Sequence, residues 1–399
     1  MATSIELSSN ITDLPCEVLA DILTRLSLKH VHKLKTVSKQ WLTNISSPHF
    51  KRLYNMKSMT RPRALVIEES DKTYSASGLG PTSRIITIST MDLIADDNKN
   101  IQKEVSFKIV GREYSFRVSS NLIIFQHKVC NPTTREIINL PIDSSYPSFC
   151  FDVGYIPSTN TYKIVHLFGT KLGPNYQYNY GREVLEIGFE TLTLRDGGPI
   201  STSWQSLPHK ECFSSLDDAT CVDGVIYWLV RTGDKKEEHI ISMEAENEEF
   251  LTIGCPKEDD HKLFGQGQLA DLNGQLCLAY HSKELSRMGL FLLKDPKNQT
   301  WVKEYNINLS SGMGNWVRIV GYVPLDGNNG DILINGTTPF RYNVREKRGR
   351  KMQKSNVNYT RLYYERCFTL ESSSSLPLPI VESLRVRNLP PKTSKCEIL

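Results

Sequence analysis

Residues 14–50 read LPCEVLADILTRLSLKHVHKLKTVSKQWLTNISSPHF and differ in pattern from everything after them. Leu14, Val18, Ile22 and Leu26 recur at every fourth position, with Leu19 and Leu23 beside them, which predicts a helix with an aliphatic side. Asp13 stands where the first free amides of a helix want an acceptor. Pro15 suits the first turn, because it has no N–H to leave unsatisfied there. Leu28, Val31 and Leu34 predict a second short helix, and Val37, Trp41, Leu42 and Ile45 a third that ends before Pro48. Three helices in about forty residues enclose little core. Part of this apolar surface therefore has to dock elsewhere, on a later part of this chain or on another protein.

From about residue 64 the helical spacing gives way to short apolar runs separated by turn residues. ALVIEE, RIITIST, VSFKIV, YSFRVSS and NLIIFQ come first, followed by YKIVHLF, VLEIGFE, GVIYWLV, HIISMEA, QLCLAYH, MGLFLLK, WVRIVGYV and DILING. So many strands need a closed or repeating arrangement, since open edges pair with other chains. A propeller of four-stranded blades satisfies this, with roughly six or seven blades at about 40 to 50 residues each. An internal echo points the same way: VDGVIYWL from 222 and LNGQLCLA from 272 are each a small turn followed by an alternating strand.

The strings themselves say more. LPCEVLADILTRL, a basic and aliphatic second helix and then VSKQW resemble the F-box, by which substrate receptors attach to a Skp-type adaptor in cullin-based ubiquitin ligases. The resemblance implies that Leu14, Pro15, Val18, Ile22, Leu23 and Leu26 supply the adaptor-facing surface, completed by Val37 and Trp41. Ser27 stands where many members carry a second Pro. VCNPTTREIINLP at 129–141, VGYIPSTNTYKIVHLF at 153–168, STSWQSLP at 201–208 and CVDGVIYWL at 221–229 resemble the plant F-box-associated domain. The paired aromatics Tyr227 and Trp228 are expected to split between the two faces of their strand. SSNLIIF, 119–125, departs from that family, which usually keeps a Gly after the Asn.

The expected fold class is accordingly α+β and multidomain, a small three-helix F-box followed by a mainly-β, kelch-like propeller. The expected division is an N-terminal stretch 1–10, the F-box 11–55, a linker 56–64, the β domain 65–345, last strands or a basic loop 346–383, and a basic tail 384–399.

The net charge of +4 conceals an uneven distribution. Residues 1–63 hold 10 Lys/Arg against 4 Asp/Glu, residues 64–340 hold 25 against 35, and residues 341–399 hold 13 against 5. An acidic body argues against a nucleic-acid groove, which needs clustered cations. Nine scattered cysteines without a Cys-x-x-Cys pair indicate neither a disulfide framework nor a zinc site. No apolar run approaches the roughly 18 residues of a membrane span, and the start lacks a signal sequence, so the expected location is cytoplasm or nucleus.

Motifs that carry chemistry are few. GQGQLA at 265–270 fits a dinucleotide fingerprint in letters, but DLNG follows where a helix is needed. His166, His209, His239, His261 and His281 are isolated in sequence and read as surface or hydrogen-bonded core residues. No catalytic residue, metal or cofactor is expected. REKRGRKMQK at 345–354 fits a nuclear-localisation signal or a solvated loop. Cys396-Glu397-Ile398-Leu399 fits Cys-a-a-X, with Leu399 pointing to a geranylgeranyl group on Cys396; a chance match is the alternative. Prenylation beside the basic tail would bring the protein to a membrane surface.

These features together imply the target-recognition subunit of a Skp-cullin-F-box ubiquitin ligase, with the adaptor, the cullin through it, and an unidentified target protein as partners. The competing reading is an F-box-bearing module that binds protein or glycan without leading to degradation.

Overall fold

The computed structural model describes most of residues 15–54, the strands and tight turns between 63 and 365, and residues 386–387. Residues 1–14, 55–62, 366–385, 388–399 and several connecting loops, among them 93–100, 172–184, 257–266 and 352–360, lie outside the described part.

Three short helices open the chain: α1 (Cys16–Thr24), α2 (Leu28–Leu34) and α3 (Lys39–Ser46). Pro15 is the N-cap of α1 and not a first-turn residue, with φ −53 and ψ 143, and its carbonyl accepts from Leu19 N at 3.0 Å. Ser38 caps α3, its side chain accepting from Trp41 N at 3.1 Å. Ser47 ends it, donating to the Asn44 carbonyl at 2.8 Å and accepting from Phe50 N at 3.1 Å. Leu19, Ala20, Leu23, Val31, Ile45, Phe50 and Tyr54 form the core of this module, with Leu34, Trp41 and Leu53 packed against it. The Tyr54 hydroxyl donates to the Leu26 carbonyl at 3.1 Å, tying the end of the module to its first turn.

Residues 49–50 and 53–54 are helical as well, and the described elements after them are strands, which make six sheets. The first holds β1 (Arg63–Tyr74), β2 (Pro81–Asp92) and β3 (Ile101–Val110); the second β4 (Phe116–Ser119), β5 (Leu122–Phe125), β6 (Lys128–Asn131) and β7 (Glu136–Asn139). The third holds β8 (Ser148–Ile156), β9 (Thr161–Lys171) and β10 (Leu185–Arg195), with β11 (Gly198–Pro199) and β12 (Gln205–Phe213) both on β10. In the fourth, β13 (Ser215–Leu216) and β14 (Thr220–Val222) both pair β15 (Val225–Thr232), followed by β16 (Glu237–Glu244) and β17 (Phe250–Gly254). The fifth runs β18 (Gly267–Leu272), β19 (Gln275–Ser282), β20 (Arg287–Asp295), β21 (Thr300–Asn308), and the sixth β22 (Arg318–Pro324), β23 (Gly330–Asn335), β24 (Phe340–Asn343), β25 (Arg348–Lys351). Two later strands return to the start: β26 (Arg361–Glu365) pairs antiparallel with β1, and β27 (Val386–Arg387) pairs parallel with β7. By content the described chain is mainly β, which corrects the α+β expectation, because among the described residues helix is confined to the stretch 16–54.

Successive sheets meet through their first strands. β4 and β5 lie against β8, β8 against β14 and β15, these against β18, β18 against β22, and β22 against β26. Alternate residues of one strand therefore go to opposite neighbours. Ile226, Trp228 and Val230 of β15 pack with Phe189 and Leu167 of the third sheet, while Tyr227 and Leu229 pack with Leu269 and Leu278 of the fifth. Burial on both faces is why GVIYWLV reads as an unbroken apolar run. The echo near 222 and 272 is a repeated hairpin: Asp223-Gly224 (φ 47 and 81) and Asn273-Gly274 (φ 55 and 81) form two-residue turns of the type that matches strand twist.

Polar links cross the seams as well. Glu248, in the β16–β17 turn, accepts from Lys163 Nζ and Thr191 Oγ1 of the third sheet, both at 2.8 Å. Trp204 and Trp301, each near the start of an outer strand, donate to carbonyls of the preceding sheet, Pro141 at 2.9 Å and Gly254 at 2.8 Å.

Candidate protein-docking site

α1 is apolar on two sides, and the fold uses only one of them. Leu19, Ala20 and Leu23 turn inward, with Leu23 only 2% exposed. Val18 and Ile22 remain 45% exposed, and Leu26, four residues further on, 37%. Val37, between α2 and α3, is 61% exposed, and Leu42 of α3 is 47% exposed. Five large aliphatic side chains thus face outward from a module whose own core is already filled. Transfer of an aliphatic side chain from water is worth about 1.5–3 kcal/mol, so covering the open half of each is worth roughly 1 kcal/mol. The surround is charged: Glu17, Lys33 and Lys39 are exposed, and Asp21 pairs with Arg25 at 2.6 Å across one helical turn.

The expected adaptor-facing residues therefore separate into groups. Val18, Ile22, Leu26 and Val37 are open, and Pro15 is exposed beside them. Leu23 belongs to the module's core and is unavailable to a partner, which corrects its assignment to the surface. Trp41 is half-buried against that core, so it supports the site from behind. Leu14 lies outside the described residues. Leu42 was missing from the expected set although its signal was present: Trp41 and Ile45, four apart, mark the inward stripe of α3, and Leu42 is off it.

The β domain offers structural roles for its titratable groups. His166 Nδ1 lies 2.7 Å from Glu190 Oε1, and its ring stacks on Phe151 at 4.4 Å, all inside the seam between the second and third sheets. His209 stacks on Phe250 at 4.0 Å; burial lowers its pKa, partly offset by Glu211, whose carboxylate is 3.6 Å from Nε2. Burial pushes the Cys130 thiol up to about 12, and Cys255 likewise with the Glu238 charge adding to it, so neither is poised as a nucleophile. Gly265 and Gln266 lie outside the described residues, and Gly267–Leu272 is strand β18 leading through a two-residue turn into β19, so no helix follows the dinucleotide-like letters. The basic run from 345 forms the β24–β25 turn and β25 as far as Lys351; residues 352–354 lie outside the described part, as do Cys396 and the tail around it.

Comparison with known proteins agrees with this division. The F-box domain family matches residues 11–53, and the F-box associated beta propeller domain family matches residues 82–341. F-box protein At4g38870 of Arabidopsis thaliana is 27% identical over 324 residues, covering 76% of this chain and 70% of its own. F-box protein At2g21930 of the same plant is 25% identical over 321 residues, covering 77% and 76%. With helices carrying an open aliphatic face, and a β domain matched over most of its length, the chain belongs to the family of F-box proteins that bear an F-box associated β-propeller domain.

Proposed function

We propose that this protein is the target-recognition subunit of a Skp-cullin-F-box ubiquitin ligase. Its helical module binds a Skp-type adaptor through Val18, Ile22, Leu26, Val37 and Leu42, with Pro15 beside them, and the adaptor links it to the cullin. The propeller binds a target protein. The observation that carries the reading is the aliphatic face left open on a module whose core is complete. The chain contributes no reacting group; holding a target lysine near the ubiquitin thioester raises effective concentration, which is a large source of rate on its own. The protein works in the cytoplasm or nucleus.

Affinity purification of the intact protein and of a Leu14→Ala/Pro15→Ala/Ile22→Ala variant tests this. Adaptor and cullin are expected with the intact protein and absent with the variant, while target proteins remain with both. Absence of adaptor from both would overturn the reading. Adaptor binding with no change in the abundance of any retained protein would leave a binding module that does not direct degradation.

A further inference from the structure

The first part of the basic run is a folded edge. Asn343 Oδ1 accepts from Glu346 N at 2.9 Å, Lys347 takes φ 52, and the chain returns as β25 in register with β24, Asn343 opposite Arg348 and Phe340 opposite Lys351. Val344 N donates to the Gly330 carbonyl at 2.9 Å, which anchors this turn to the neighbouring strand. Arg345, Lys347, Arg348, Arg350 and Lys351 are all exposed, and Glu346 is the single acid among them. Among the described strands β25 pairs with β24 alone, so its outer edge presents backbone donors and acceptors. Behind it, Asp331 is engaged by Arg341 at 3.0 Å and by Asn343 at 2.8 Å, and the Arg350 guanidinium of β25 reaches it at 3.6 Å while staying 63% exposed. Gly349 lies against the Phe340 ring, where any Cβ would collide, so the ring packs directly over the β25 backbone.

We propose that this edge is where the receptor takes its target, and that the target presents an extended acidic segment that adds as a strand beside β25. The proposal rests on the reading of the chain as a target receptor and names the class of target. An exposed strand edge supplies main-chain hydrogen bonds to an extended peptide, and alternating side chains supply the selection. Arg348 and Arg350 lie on one face of β25, two residues apart, so carboxylates at alternate positions of an added strand fall opposite them; Arg348 is the main contact, because Arg350 also shares Asp331 at 3.6 Å. A nucleic acid fits the edge less well. Its phosphates leave the strand's N–H and C=O row largely unmatched, single strands bind by stacking on aromatics, and the exposed large apolar side chains among the described residues are all aliphatic.

The test uses the full chain, alone and with its adaptor added, and a fluorescein-labelled short peptide of alternating Glu and Val, read by anisotropy, beside an alternating Lys and Val peptide and a single-stranded oligonucleotide. The Glu peptide is expected to bind with a Kd on the order of micromolar. Affinity should fall at least about tenfold as salt is raised from about 50 to about 200 mM. An Arg345→Glu/Lys347→Glu/Arg348→Glu variant should lose the peptide and keep the adaptor. A milder Lys347→Ala/Arg348→Ala pair, expected to weaken binding with the fold intact, covers the case in which charge reversal disturbs the hairpin. Failure of the Glu peptide to bind, undiminished binding by both variants, or preference for the oligonucleotide overturns the proposal. Self-association of the variants without any peptide binding by the intact protein also overturns it, since the cations would then serve to keep other chains off an open edge. Loss of adaptor binding by the intact chain would strike the receptor reading separately, because the peptide measurement does not depend on it.

Discussion

Ile22 and Leu23 are adjacent in α1, similar in size, and differently placed: one is open to solvent and the other 2% exposed. Leu23→Ala should destabilise the helical module by about 2–5 kcal/mol, through lost transfer energy and a residual cavity. Ile22→Ala should stay within about 0.5 kcal/mol. Amide exchange of α3 in the full chain reads both, and equal effects would contradict the division into core and face. That both residues lie on an apolar helix is legible in the four-residue spacing. Which side faces inward is not, because it depends on where α2 and α3 pack. His209 gives a pH dependence at the same scale. Its folded pKa lies below the ordinary value near 6.5, so the folded state binds fewer protons than the unfolded chain as pH falls. The stability it contributes is therefore present above about pH 6.5 and lost as pH falls through that value toward the lower folded pKa. Urea midpoints should drop on acidification in the native protein and drop less in His209→Gln; equal drops would contradict this.

The strands and their turns are the most legible elements. Asp-Gly and Asn-Gly pairs announce the hairpins at 223–224 and 273–274, and Tyr227 and Trp228 divide between neighbouring sheets as alternation requires. Contacts between elements distant in sequence are not announced. Glu248 reads as one acid in a run of acids, yet it holds Lys163 and Thr191, 85 and 57 positions away. Lys163 and Glu248 side chains are 11% and 15% exposed, so removing the carboxylate leaves a largely buried ammonium without its partner. Glu248→Ala should cost about 3 kcal/mol, measured as a shift in the denaturant midpoint with unchanged slope. A loss under about 0.5 kcal/mol would show that the link contributes as little as an exposed pair.

At the scale of the whole molecule, β26 joins the first sheet to the last part of the chain, with Arg63 opposite Glu365 and Ile67 opposite Arg361, while β22 of the sixth sheet lies against β26. β25 and β26 fall in the stretch 346–383, where last strands or a basic loop are expected. Residues 361–365 belong to the first sheet by pairing, and pairing over some three hundred positions leaves no local trace. Deleting residues 360–399 should leave β1 with an open edge and the sixth sheet without its neighbour, giving a lower thermal midpoint and aggregation in size-exclusion chromatography. A truncated protein that stayed monomeric with an unchanged midpoint would contradict this view of how the domain closes.

In the proposed function, the outward aliphatic face of the helical module, and not its core, binds a Skp-type adaptor. Calorimetric titration of purified adaptor into the full chain, and into a Val18→Ala/Ile22→Ala/Val37→Ala variant, tests it directly. Three half-open side chains at roughly 1 kcal/mol each predict a loss of about a hundredfold in affinity, with the variant's far-UV circular dichroism and thermal midpoint unchanged. Equal affinity for the two proteins, or no binding by the intact chain, would contradict the account.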